Sequence, residues 1–221
     1  MVRLAVFWVL MSKNERLSAA FIGEGSLLIQ CAKAWLDRGH EISLIITPDT
    51  QVAGFSSQHD LRCMDSSVQW QAALAAESFD YLFSVVNSLL LPAEVLQMPA
   101  RLAINYHDSP LPRYAGLNAT SWAIINGETE HAISWHVMVE ELDAGDILIQ
   151  RSLPISPNET SVSLNTRCYE LAADAFADLI AGMETDSFSR MPQDLSKRTV
   201  FGSDARPAAA ASLRPDVSFQ E

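Results

Sequence analysis

Two residues of this chain stand where their types and spacing could do chemistry. Asn105 and His107 lie two apart in the run Ile104-Asn105-Tyr106-His107-Asp108-Ser109-Pro110-Leu111-Pro112-Arg113-Tyr114-Ala115-Gly116. At the end of a strand that spacing points both side chains to the same side. An amide donor beside an imidazole can stabilise charge gathering on a carbonyl oxygen and move a proton. The prolines and the glycine then fix the loop that follows. Further on, Glu140-Glu141-Leu142-Asp143-Ala144-Gly145-Asp146 puts carboxylates on a loop between two apolar runs. An aspartate reaching His107 would raise its pKa and hold it oriented. Glu140 and Glu141 read better as a solvated acidic turn; for Asp143 the pattern leaves both readings open.

Other combinations carry less. Gly23-Glu24-Gly25-Ser26, between an apolar run and a helical pattern, could cradle an anion at a helix N-terminus. It lacks the third glycine of a dinucleotide fingerprint and the lysine of a P-loop, and Glu24 would repel phosphate, so a tight turn of small residues is the plainer reading. A metal hydrolase built from His107, His131, His136, Asp143 and Asp146 is hard to assemble. His131 and His136 are an odd number apart and would face opposite sides of a strand, and no metal is expected. A serine hydrolase using Ser109 lacks a G-x-S-x-G elbow. Cys31, Cys63 and Cys168 form neither a CxxC pair nor an even disulfide set, and read as inert thiols in a reducing, cytoplasmic setting.

The elements that must position these residues alternate along the chain. Strands are expected over 18–22, 41–46, 81–86, 101–106, 132–139 and 147–153. Helices are expected over 27–38, 68–77 and 161–181, with a short one opened by Pro92, and a polar loop over 48–65. This order predicts an α/β fold: a Rossmann-like open, mainly parallel twisted sheet with helices on both faces, in a single domain. Ligands of such sheets sit beyond the carboxyl ends of the strands, where strand order reverses. Residues 1–16 are expected to be an N-terminal extension rather than a secretory signal, 17–200 the catalytic domain, and 201–221 a linker or tail.

The 221 residues carry 27 acidic against 15 basic side chains, for a formal net charge of −12. That balance argues against a partner gripped by its phosphates, so no nucleic acid is expected. No apolar run approaches the roughly 18 residues of a membrane span, so no membrane is expected either.

Asn105-x-His107 followed by Ser109, Leu111-Pro112 and Gly116, then Leu142-Asp143-x-Gly145, resembles the folate-dependent formyltransferase family. That family includes methionyl-tRNA, glycinamide ribonucleotide and amino-sugar formyltransferases, with the signature N-x-H-P-S-L-L-P-x-x-x-G and a later L-D-x-G. The resemblance implies an enzyme that moves the formyl group of 10-formyltetrahydrofolate, its co-substrate, to an amine. By position, Asn105 would hydrogen-bond the formyl oxygen. His107 would stabilise and protonate the tetrahedral intermediate, and Asp143 would orient His107 and a water. The pterin would lie against Val86, Asn87, Ser88, Leu89 and Leu90 and against Val139, Glu140, Glu141 and Leu142. Ser109, Leu111, Pro112 and Gly116 would form the substrate loop. Asp108 replaces the family's proline, Pro110 its first leucine, and Ser134 stands where a threonine is usual.

The acceptor is expected from length and charge. The chain holds a bare catalytic domain followed by an Ala/Pro-rich stretch, similar to the N-terminal formylation domains of nonribosomal peptide synthetases. The implied partner is an aminoacyl-loaded carrier domain; the alternative is a free small-molecule amine such as an amino-sugar nucleotide or glycinamide ribonucleotide. A reading from another class is a folate-binding or interaction module without turnover.

Overall fold

A computed structural model describes residues 16–207. The expected extension falls almost wholly on residues 1–15, and most of the expected tail on 208–221; these lie outside the described residues. In chain order the elements are β1 (Ser18–Gly23), α1 (Gly25–Asp37), β2 (Glu41–Ile46), α2 (Thr50–Gln58), β3 (Cys63–Met64) and α3 (Gln71–Ala75). Then come β4 (Tyr81–Val85), α4 (Ala93–Leu96), β5 (Leu102–His107), β6 (Ala115–Gly116) and α5 (Ala119–Ile125). The chain continues through β7 (Glu130–Val137), β8 (Ile147–Pro154), α6 (Ser161–Glu184), a 3-10 turn (Leu195–Lys197) and β9 (Val200–Phe201).

Seven strands form one Rossmann-like sheet in the order β3-β2-β1-β4-β5-β7-β8, parallel through β5 and antiparallel from β5 to β8. Each central strand is apolar on both sides because both faces are covered. Ala19 and Phe21 of β1 join Trp35 of α1 and Phe176 of α6 in one core, while Ala20 and Ile22 join Leu74 of α3 and Val95 of α4 in the other. On α6, Leu164, Phe176, Leu179 and Ile180 are wholly buried. Truncating one of these to alanine costs about 2–5 kcal/mol. The helix starts at a capping box in which Thr160 and Ser163 satisfy each other's backbone N–H groups.

Strand order reverses between β1 and β4, whose carboxyl ends meet where the N–H of Glu24 donates to Val85 O at 3.2 Å. No helix among the described residues is long and apolar enough to cross a membrane.

Four local expectations change. The 48–65 loop contains α2, capped by the Asp49 carboxylate on Gln51 N, and β3 at the sheet edge. Only Val52, Phe55 and Ser56 of α2 are buried, too narrow a stripe to announce a helix. The helix expected over 68–77 shrinks to α3, and α5 was not anticipated. The expected tail boundary at residue 201 also moves. Phe201 lies in β9, paired with Gly116 of β6, and its ring stacks on Trp122 at 4.3 Å and Tyr114 at 5.6 Å. The pairing partner is some 85 residues away, beyond the reach of local pattern.

Candidate active site

The antiparallel pairing of β5 with β7 sets Asn105 opposite His136 and His107 opposite Ser134. Directly opposed residues share a face of the sheet, so these four side chains rise together from its carboxyl edge. His136 Nδ1 donates to Val137 O at 2.9 Å, which leaves Nε2 of the neutral ring as an acceptor for Asn105 Nδ2 at 3.2 Å. His107 Nε2 donates to the Tyr114 carbonyl at 2.9 Å. The loop bearing that carbonyl is tied down from several sides. Ser134 Oγ donates to Ser109 O, Gln150 Nε2 to Leu111 O, and Ser109 Oγ to Arg113 O, at 2.7, 3.0 and 3.0 Å. Tyr114, at φ 60°, is held by its N–H donating to Thr199 Oγ1 at 2.8 Å.

Asp143 stands between the two histidines on the β7–β8 loop, with its side chain buried. Its Oδ2 accepts from Gly116 N at 2.9 Å and lies 3.8 Å from His107 Nε2; its Oδ1 lies 3.5 Å from His136 Nε2. Burial alone would push this carboxyl upward. The imidazoles of His136 and His107 beside it and the Gly116 N–H outweigh it and hold the pKa at about 2. The Asp143–His107 approach is an ion-pair distance, too long for a hydrogen bond; the Tyr114 carbonyl holds the ring of His107.

The loop is pinned in turn. Gly145 approaches Val137 so closely that a Cβ would meet the Val137 carbonyl oxygen at 2.0 Å. Gln193 Nε2 donates to the carbonyls of Asp143 and Gly145 at 2.8 and 2.6 Å. Arg198 bonds Glu141 and the Leu142 carbonyl. The segment after α6 thus clasps both loops that carry the site.

These residues open into a cavity of about 540 Å3 at the carboxyl ends of β1, β4 and β5. Asn105, His107 and Asp143 line it, as do Val86, Asn87, Ser88, Leu89, Leu90, Val139, Glu140, Leu142 and Gly116. Glu141 does not, since its carboxylate is turned to Arg198. Ser109, Leu111 and Pro112 do not either; Ser109 and Leu111 are buried beneath the loop as its support. Leu90 is 82% exposed and Val139 45%, so apolar side chains face open space on both lips. Asn87 fixes its own loop, accepting from Leu89 N at 3.0 Å. The size and apolar walls suit a flat heterocycle whose edges need backbone partners. His131 is not part of the cluster: its Nε2 contacts Asp108 O at 2.6 Å.

Tyr114, Gln193 and Arg198 were not singled out as site residues in the sequence, and His136 was weighed there only as part of a metal set that could not be assembled. His136 had one available signal, an even spacing from Ser134 on the strand next to β5; the others act through main-chain carbonyls or from beyond α6.

Residues 19–180 match the family model described as formyl transferase. A methionyl-tRNA formyltransferase of Synechococcus sp. (strain JA-2-3B'a(2-13)) is 39% identical over 128 residues, 58% of this chain and 40% of that protein. This chain spans 40–60% of the length of the curated methionyl-tRNA formyltransferases it matches. Among solved structures, a sugar 3N-formyltransferase crystallised with dTDP and 5-N-formyl-THF superposes with TM-score 0.74 at 19% identity, covering 85% of this chain and 70% of that one. The phosphoribosylglycinamide formyltransferase of Anaplasma phagocytophilum superposes with TM-score 0.70 at 20% identity, covering 86% and 100%.

Proposed function

The chain belongs to the formyl transferase family, and we propose that it transfers a formyl group from 10-formyltetrahydrofolate to an amine. The observation that carries this reading is the convergence of Asn105, His107 and Asp143 on one wall of a cavity whose lips are the apolar loops at Val86 to Leu90 and Val139 to Leu142.

The co-substrate supplies an activated formyl carbonyl; the protein supplies charge stabilisation and a proton path. One N–H of Asn105 is engaged by His136, which fixes the amide's orientation and leaves the second N–H for the formyl oxygen. With Nε2 of His107 tied to Tyr114 O, Nδ1 is the nitrogen left to exchange protons with the reactants. As the new C–N bond forms and the old one breaks, the acceptor nitrogen loses a proton and the departing nitrogen gains one, so a single imidazole closes the balance. Asp143, ionised well below neutral pH, places a negative charge 3.8 Å from His107 Nε2, facing the positive charge that develops on the ring during transfer. A donor lost from such a site lowers turnover by about 10²–10³-fold.

Within that chemistry we take the acceptor to be the amino group of an aminoacyl unit tethered by thioester to a carrier domain. A free small amine is the alternative. The three described cysteines are unpaired, which fits a reducing, cytoplasmic setting.

The test is to mix purified protein, 10-formyltetrahydrofolate and an aminoacyl-loaded carrier, and to follow N-formyl product by mass spectrometry. Product is expected. Efficient formylation of a nucleotide sugar or of glycinamide ribonucleotide instead would remove the carrier assignment. Folate binding without product from any amine would leave a binding module.

A further inference from the structure

The short strand β6 touches both members of the His107–Asp143 pair through its main chain. A trans peptide sets its carbonyl and its N–H on opposite sides, so the two edges of a strand carry different peptide groups. On one edge, Tyr114 O accepts from His107 Nε2 and Gly116 N donates to Asp143 Oδ2, each at 2.9 Å. On the other, Ala115 N donates to Thr199 O at 2.9 Å and Leu117 N to Phe201 O at 2.7 Å. The rigid peptide joining Tyr114 to Ala115 is thus bonded at both ends. Its oxygen meets the imidazole and its nitrogen meets the strap that follows α6.

Tyr114 adopts the left-handed φ of 60°, which a bulky side chain keeps only when its surroundings enforce it. Its N–H donates to Thr199 Oγ1 at 2.8 Å, its ring stacks on Phe201 at 5.6 Å, and its hydroxyl donates to Glu128 Oε1 at 2.6 Å. Two of those three holds come from the strap. Gly116 lets the strap come this close: at φ 92°, a Cβ there would run into the Phe201 carbonyl oxygen. β9 pairs with β6 and with no other strand among the described residues, and Val200 is exposed. Val200, Phe201 and Gly202 also line the cavity, so the strap meets the cavity and the pair at once.

We propose that Thr199 and Phe201 are positioning residues for formyl transfer. They fix the Tyr114–Ala115 peptide, and that peptide, rather than Asp143, keeps the His107 proton on Nε2 and leaves Nδ1 free. A carbonyl oxygen can only accept, so a ring with its proton on Nδ1 would turn a lone pair toward Tyr114 O. Asp143 Oδ2, at 3.8 Å from Nε2, is beyond hydrogen-bond reach. The proposal rests on the formyl-transfer reading for what Nδ1 does; the position of the proton does not depend on it.

The test reads the proton and the turnover separately. In protein labelled with 15N-histidine, the ring-nitrogen NMR shifts of neutral His107, assigned by their loss in His107→Asn, distinguish the protonated nitrogen from the bare one. Wild type and Asp143→Asn are expected to carry the proton on Nε2. Thr199→Val and Phe201→Ala should each show a mixture of the two tautomers. Thr199→Val is nearly isosteric and carries the test by itself if Phe201→Ala does not fold. In steady-state kinetics Thr199→Val should lower kcat about tenfold with KM for 10-formyltetrahydrofolate unchanged, the low end for losing an orienting partner. Thr199→Ser, which keeps the acceptor oxygen, should recover most of that loss. A wild-type proton on Nδ1, a tautomer that changes in Asp143→Asn and not in Thr199→Val, or equal defects in Thr199→Val and Thr199→Ser would overturn the proposal. The expected tautomers without transfer to any amine would sink the functional reading and leave the positioning of His107 standing; transfer with the tautomer unmoved by Thr199→Val would do the reverse.

Discussion

The side-chain amide of Asn105 lies 3.2 Å from His136 Nε2 on the neighbouring antiparallel strand. Because Nδ1 of His136 is committed to the Val137 carbonyl, the neutral ring presents a lone pair to the amide and decides which way it points. In the proposed mechanism the histidine acts through Asn105, as a positioning residue.

His136→Ala should therefore lower kcat by about 10–100-fold with little change in KM for the folate, the usual scale for losing an orienting partner. His136→Gln, which can still accept from Asn105, should recover much of the loss. Steady-state kinetics on the two variants decide it; an equal defect in both would assign His136 to packing alone.

Replacing His107 or Asp143 by alanine should cut turnover by about 10²–10⁴-fold, the range for a lost proton-transfer group. Folate should still bind, because the proposed apolar lips at Val86 to Leu90 and Val139 to Leu142 include neither side chain. Equilibrium binding beside single-turnover rates would separate the two effects, and lost binding would count against the assigned roles.

The depressed pKa of Asp143 carries a sign for stability. Burial opposes the shift, and the neighbouring imidazoles of His136 and His107 with the Gly116 N–H produce it. Since the folded value, about 2, lies below the ordinary carboxylate value, the stabilisation is present above pH ~4 and is lost as pH falls toward 2. Its size is about 2 kcal/mol. Urea denaturation from pH 5 to 2 should show wild type losing this increment relative to Asp143→Asn. Parallel curves would contradict it.

Gly145→Ala should displace the loop that carries Asp143, because the added carbon would sit 2.0 Å from the Val137 carbonyl oxygen. Loss of several kcal/mol of stability is expected, beyond the range of ordinary surface changes. Thermal unfolding together with activity measures both consequences.

Gln193→Ala should reach the same loop from the other side by removing the bonds to the Asp143 and Gly145 carbonyls. Each orphaned carbonyl costs about 1–3 kcal/mol if no water replaces the amide. The expected signature is a fall in kcat with a milder fall in melting temperature. Gln193→Glu keeps the shape but turns the donor into an acceptor, and should not restore activity.

Much of the scaffold was legible because local pattern and burial agree. The apolar runs of β1, β2, β4 and β5 and the inward stripe of α6 state their type over six or more residues, or through strong alternation with helices. By contrast, α2 buries three residues and β3 has two, so neither leaves a period to detect. β9 is also two residues long and exists only because Gly116 accepts it as a partner.

For the site, strand parity alone put Asn105 and His107 on one side, while Asp143 was marked only by the resemblance of Leu142-Asp143-x-Gly145 to the family's motif. Which atoms meet was a separate matter. The register of β5 against β7, with its irregularity between Trp135 and His136, brings a second histidine to Asn105 and Asp143. The clasp of residues 193–201 fixes two loops from across the chain, and the fold turns the Tyr114 carbonyl onto His107. Side-chain types and their spacing along a strand are local properties, so the sequence by itself determined the fold class and the chemically able residues. Hydrogen-bond partners between segments dozens of residues apart depend on register and main-chain direction. Only the tertiary structure decided how those residues are held.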